Sequence, residues 1–187
     1  MARWFWYVLF YSFLGYCLEK LFARAIRSQR QVRKCFLLLP LCPVYGLAMA
    51  AVLALVPADM PFPVLAVLGG LLCTAVEYLV HLFYDKAFRV QFWDYGQLRG
   101  NLLGRVCPQF ALVWGILSAT ALRWVQPLPA RLVDRIPAAV TYGVWLALAA
   151  DCVLTGALLR QYRDTEMLTL PAVLAQVRAS SQSSTSR

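Results

Sequence analysis

Apolar residues run along the chain in five long blocks, at roughly 4–25, 35–56, 62–84, 106–122 and 136–159, with short polar breaks between them. A helix takes about 20 such residues to cross a hydrocarbon core. Helices are the expected form because a spanning segment must close its own backbone hydrogen bonds, and the period-two alternation of a membrane barrel is missing. The pattern predicts an all-α, polytopic membrane bundle of about five transmembrane helices. One domain over residues 1–165 holds them all. The tail at 166–187 ends in "SSQSSTSR" and is expected to be a flexible cytoplasmic extension, having too little apolar surface to fold.

The breaks between blocks carry their own signals. "PADMPFP" (57–63) and "RWVQPLPARLVDR" (123–135) are short and punctuated by proline, which reads as helix ends. The longer break at 85–105 interleaves Phe88, Phe92, Trp93 and Tyr95 with Lys86, Arg89 and Asp94, a composition suited to an interfacial segment in the headgroup region. In "LLLPLCPVYG", Pro40 and Pro43 each remove an amide donor and obstruct the preceding turn, so the second helix is expected to kink or unwind where it begins. That break is either a bend absorbed by neighbouring helices or an opening that turns carbonyls toward a cavity. No internal repeat is visible, which gives no support to an inverted-repeat transporter.

Composition strengthens the membrane reading. Of 187 residues 61% are hydrophobic and only 14% charged, with a mean hydropathy of +0.62, which leaves too little polar surface for a soluble domain. The net charge of +9 raises the question of nucleic acid, but its placement points elsewhere. Lys20, Arg24, Arg27, Arg30, Arg33 and Lys34 close or follow the first block, and Lys86, Arg89, Arg99 and Arg105 fall between the third and fourth. Arg160, Arg163, Arg178 and Arg187 follow the fifth, whereas Arg3, Arg123, Arg131 and Arg135 lie on the other side. Basic loops stay in the cytosol, so the N-terminus is expected outside and the C-terminus inside a cell inner (plasma) membrane. Membrane lipids, whose anionic headgroups attract these residues, are the expected partner, and nucleic acid is not. "ARA" at 23–25 resembles a signal cleavage site, but the run before it is long and contains Glu19 and Lys20, so it reads as a retained helix. Six cysteines with no C-x-x-C pair suit neither a disulfide framework nor a zinc site and are expected to pack as small hydrophobes.

Acidic residues inside a bilayer are costly and usually have a purpose. Glu19, Glu77 and Asp151 qualify, each in the inner half of an odd-numbered block. Gly70, Thr74, Glu77, His81 and Tyr84 form one polar stripe at helical spacing; Ser12, Tyr16 and Glu19 form a second, and Asp151 with Thr155 a third. The stripes are expected to face one another, with Arg105, at the start of the fourth helix beside Asn101, as the counter-charge able to bridge several carboxylates. Such a network either pins helices together or lines a polar cavity that binds an ion, proton or polar solute, in which His81 titrates in a useful range. A metal site is not expected, because Glu77 and His81 have no third ligand in view. Gly96, Gly100 and Gly104, four residues apart, would give a smooth helix face for close packing or, in a loop, free amides for a phosphate beside Arg99 and Arg105. The nucleotide-binding loop ending in Gly-Lys-Ser/Thr is absent, and no cofactor is expected.

"YSFLGYCLE" (11–19), "FLLLPLCPVYG" (36–46), "EYLV" (77–80), "FWDY" (92–95), "NLLGRVC" (101–107) and "WG" (114–115) occur in an order that resembles the ABC-transporter type IV, or CmpB-like, permeases of bacteria. The resemblance covers roughly residues 5–125. It implies a multi-pass membrane protein of the transport class, and its motif falls on Glu19, Pro40, Cys42, Pro43, Tyr45, Gly46, Glu77, Trp93, Asp94, Tyr95, Asn101, Gly104 and Arg105. Leu39 stands where the family tends to have glycine, and Leu103 where it often has a second asparagine; both changes are expected to make the cavity more apolar.

The leading expectation is a permease-like protein that moves or binds a solute through Glu19, Glu77, His81, Asp94, Asn101, Arg105 and Asp151. Its expected partners are further copies of itself and a separate cytosolic nucleotide-binding subunit docking near 20–34 or 85–100. One alternative is a membrane-embedded enzyme acting on a lipid or isoprenoid phosphate, with Arg99, Arg105 and the glycines holding phosphate and Glu77, His81 or Asp94 as acid or base. No nucleophile–base pair supports it. The other alternative is a scaffold or assembly factor whose buried charges are structural.

Overall fold

Prolines begin most of the helices, because a missing amide costs nothing in a first turn and the fixed φ favours one. The computed structural model describes residues 2–25, 35–165 and 168; the basic residues of 26–34 and nearly all of the tail over 166–187 lie outside the described residues. Helix α1 is Ala2–Ala25, α2 Pro43–Leu55, α3 Phe62–Phe88, α4 Pro108–Thr120, α5 Pro127–Leu132 and α6 Ala138–Tyr162. Among the described residues the architecture is all-α. Helices α3 and α6 are long and apolar enough to cross a membrane. Their outer faces carry large apolar side chains such as Leu71, Leu79, Trp145 and Val153 in exposed positions, where lipid is the natural solvent.

Antiparallel neighbours build the bundle. Helices α1 and α2 meet where Gly15 lies under the Tyr45 ring and Gly46 lies against Ser12 and the Val8 carbonyl. Helix α3 meets α4 in the same way. A Cβ at Gly70 would stand 2.9 Å from the Ala111 carbonyl and 3.3 Å from Gly115 Cα, so the two backbones touch through glycine. One core, containing Tyr11, Met49, Val52, Leu65, Cys73 and Trp114, fills the space between α1 and α4. A second, containing Tyr84, Phe88, Val90 and Leu159, lies toward the C-terminal ends of α3 and α6.

Three expected elements take a different form. The second block does not run helical from 35; residues 35–42 are unwound, and the helix starts only at Pro43. Of the two outcomes that Pro40 and Pro43 left open, the break is the one that forms. It has partners for its freed donors: Cys42 N–H reaches the Ser12 carbonyl at 2.9 Å, and Leu38 and Leu39 donate to Asp151 at 3.2 and 3.0 Å. The connection at 123–135 is helical rather than open. It passes through a π-turn at Ala121–Val125, where Gln126 N–H bonds the Ala121 carbonyl at 2.8 Å, and then through α5. Finally, Gly96, Gly100 and Gly104 belong to a loop and give no helix face; Gly100 and Gly104 take φ of +74° and +70°, which glycine alone adopts without strain.

The cysteines also depart from expectation. Cys35 and Cys42 lie within disulfide-bonding reach of each other, with Cα atoms 5.1 Å apart. Unwinding of the intervening segment brings them together, a proximity that spacing along a helix would not have given.

Candidate functional site

Two polar clusters tie the bundle together at opposite ends. At the end holding the α1 N-terminus, Arg3 pairs with Asp134, Trp6 Nε1–H donates to Thr141 Oγ1 at 3.0 Å and Tyr11 Oη–H donates to Gln126 at 2.8 Å. The other end holds a cavity of about 210 Å³, walled by α1, the 35–42 segment, the starts of α2 and α4, the later turns of α3 and the 89–107 loop.

Glu19 from α1 and Glu77 from α3 both line this cavity. Tyr45 Oη–H donates to Glu19 Oε1 at 2.8 Å. Glu77 is 3% exposed and accepts from Tyr95 Oη–H at 2.9 Å on one oxygen and from Trp114 Nε1–H at 3.0 Å on the other. The rest of the wall is largely aromatic. Tyr45 packs on Trp114 with ring centroids 4.8 Å apart, Tyr95 stacks on Phe110 at 4.7 Å and Phe36 stacks on Tyr84 at 5.2 Å. Buried indole and phenol groups need hydrogen-bond partners, and in this cavity the carboxylates supply them.

The expected convergence of three acids around Arg105 is corrected by this geometry. Asp151 is buried but lies behind the unwound segment, where its oxygens hold the Leu38 and Leu39 amides and accept from Thr155 Oγ1 at 3.3 Å. Arg105 pairs with Asp85 at 2.9 Å, donates to Tyr78 Oη at 3.2 Å and packs over the Tyr78 ring. The Tyr78 hydrogen bond, with Asp85 beside it, raises the affinity of the guanidinium for its proton, so the group stays charged. Arg105 lies nearest to Asp85 because the loop enters α4 beside the last turns of α3, below the level of Glu77.

His81 is also buried, but it faces Trp93. Its Nε2–H donates to the Trp93 carbonyl at 3.1 Å, which leaves Nδ1 as the acceptor nitrogen, without a partner among the described residues. Trp93 Nε1–H in turn donates to the Arg105 carbonyl at 2.9 Å. Asp94 and Asn101 organise the loop itself. Asp94 accepts from the Gly96 amide at 2.7 Å, and Asn101 donates to the Leu98 carbonyl at 2.8 Å while accepting from the Gly104 amide at 2.9 Å. The amides of Gly96 and Gly104 are thus engaged within the loop, so the alternative of free amides cradling a phosphate does not hold for these two. Leu39 and Leu103 do not line the cavity, so neither makes it more apolar; Leu103 is an exposed residue with φ of +56°.

Of the seven candidate binding residues, only Glu19 and Glu77 reach the cavity. Sequence reasoning passed over Trp114 and Tyr95 as donors, although an indole in an apolar block is a signal that some acceptor must lie opposite. Pro43 and Tyr45, read as structural, line the wall beside them.

Residues 6–156 match the sequence family described as "Putative ABC-transporter type IV". The chain belongs to this family. The match extends past the stretch that carried the resemblance and takes in most of α6 with Asp151. Family membership gives the chain a general membrane-transport role of the permease type and a bacterial inner-membrane setting. No curated protein and no solved structure matches it.

Proposed function

We propose that this protein is the membrane-spanning subunit of a transport system and that it binds its solute in the cavity between Glu19 and Glu77. The observation that carries this reading is the cavity itself: an acid from each of two helices reaches it, and an unwound segment forms part of its wall. Backbone without helix is tolerated at membrane depth where it lines a cavity or lies within protein, so residues 35–42 are the natural moving part. The protein is oriented with its N-terminus outside and the cavity toward the cytoplasm, as the basic residues near that end require.

The family description implies that energy comes from a separate nucleotide-binding subunit. The 89–107 loop, with Arg89, Gln97 and Arg99 exposed, is its docking face. Purification from native membranes in mild detergent tests the assembly. An ATPase subunit is expected to remain with the protein and to be lost when Arg89 and Arg99 are reversed to glutamate. A protein that stays alone under crosslinking, or a partner indifferent to the reversal, overturns the docking reading. Transport itself is tested by solute-dependent growth or flux with Glu19→Gln and Glu77→Gln. Loss of flux in variants that retain a normal elution profile supports the cavity as the pathway, and unchanged flux removes it.

A further inference from the structure

We propose that the hollow between the α2–α3 connection and the π-turn after α4 is a headgroup site for a zwitterionic aminophospholipid, a phosphodiester that carries a primary ammonium. The proposal stands apart from the transport reading and needs nothing of the cavity at the other end. Asp59, Met60, Pro61, Phe62, Arg123 and Trp124 line the hollow. Helix α3 is long and apolar enough to cross a membrane and begins at Phe62, so the hollow lies at the level where hydrocarbon gives way to headgroups. Trp124 is 65% exposed and packs on Phe62 with ring centroids 5.5 Å apart. Such a ring, apolar in body and polar at one edge, is placed as the membrane interface favours.

Charge selects the lipid. Arg123 donates through Nη2 to the Met60 carbonyl at 2.6 Å, which ties the two connections together and holds the guanidinium at the rim. A guanidinium has five N–H donors. The rest of its fork is open to a phosphate, whose oxygens it matches in geometry. Asp59 is exposed and has no hydrogen-bond or ion-pair partner among the described residues. An acid and a base that share one hollow without pairing complement a ligand bearing both charges, with its phosphate toward Arg123 and its ammonium toward Asp59. An anionic headgroup would meet the Asp59 carboxylate, and a choline headgroup has no N–H for that carboxylate to accept. The Phe62 and Trp124 rings receive the glycerol and the first methylenes of the lipid.

The test titrates delipidated full-length protein in a mild detergent with an equal mixture of phosphatidylethanolamine and phosphatidylcholine of identical acyl chains. Native mass spectrometry reads the first lipid bound. Neither lipid carries a net charge, so the basic residues elsewhere in the chain do not choose between them. The ethanolamine lipid is expected to be preferred roughly threefold, the scale of one exposed ion pair. Asp59→Asn is expected to abolish that preference, and because Asp59 has no partner to lose, the variant keeps its fold. Equal binding of the two lipids by the unmodified protein, or a preference that survives Asp59→Asn, overturns the proposal. A second titration offers phosphatidylglycerol in place of the choline lipid. Asp59→Asn is expected to shift binding toward this anionic lipid, since it removes both the ammonium's partner and the repulsion; an unshifted ratio overturns the commitment to a zwitterion.

Discussion

Asp151 directs its carboxylate away from the cavity and onto two consecutive backbone amides, those of Leu38 and Leu39. Hydrogen bonds to a charged group are worth about 1.5–3 kcal/mol each, and the unwound segment has few other partners at this point. Asp151→Asn keeps the shape but loses the charge and turns one oxygen into a donor facing a donor. A loss of about 3 kcal/mol in unfolding free energy is expected, read from denaturant-induced unfolding in detergent; unchanged stability would remove Asp151 as the anchor of the segment. Leu103 offers the opposite case. Its φ of +56° is a conformation that leucine adopts with strain, and its side chain is exposed. Asparagine tolerates that region better, so Leu103→Asn is expected to raise stability by about 1 kcal/mol, and the same unfolding assay checks it. The acids were legible in the sequence because a carboxylate in an apolar block stands out. Several of their partners were not, because Leu38, Leu39 and Tyr95 belong to irregular segments that have no period to read.

The start of helix α3 was legible to the residue, from its apolar run and the proline beside it, whereas its end runs four residues past the expected 84. The break before α2 was only half legible, since Pro40 and Pro43 announce a lost donor but leave its form open; the amide acceptors on α1 and α6 decide the outcome. The glycines show why spacing alone misleads. Gly96, Gly100 and Gly104 have the period of a packing face but form a loop, whereas Gly70 and Gly115, with no such regularity, bring the backbones of α3 and α4 together. Two substitutions to alanine separate the roles of glycine. At Gly70 the new Cβ would face backbone on α4, with nothing flexible to yield, and a cost of about 1–3 kcal/mol is expected. At Gly143 nothing lies within 4 Å, and alanine is expected to be neutral or to stabilise the helix by up to about 1 kcal/mol. Equal effects at the two sites, measured by thermal unfolding in detergent, would contradict the α3–α4 packing.

Over the whole molecule, the ends of the bundle differ in charge and in structure, and one chemical feature reports which end faces the cytoplasm. Cys35 and Cys42 lie at the cavity end, close enough to pair, while Cys17, Cys73, Cys107 and Cys152 are free. Pairing is permitted by geometry, but the state in a cell is set by the compartment, because cytosolic reductants keep thiols open and the periplasm oxidises them. The orientation proposed from the basic residues would place this end in the cytoplasm. Cells quenched in acid, denatured and treated with a mass-tagged maleimide are therefore expected to yield protein carrying six tags, one for each cysteine. Only four tags, rising to six after a reductant, would mean a closed pair in growing cells and an inverted protein. Inversion would leave the helices, the cavity and its two carboxylates in place, but it would present the 89–107 loop to the outside, where no nucleotide-binding subunit waits. Transport energised by such a subunit thus depends on the sidedness that these two thiols report.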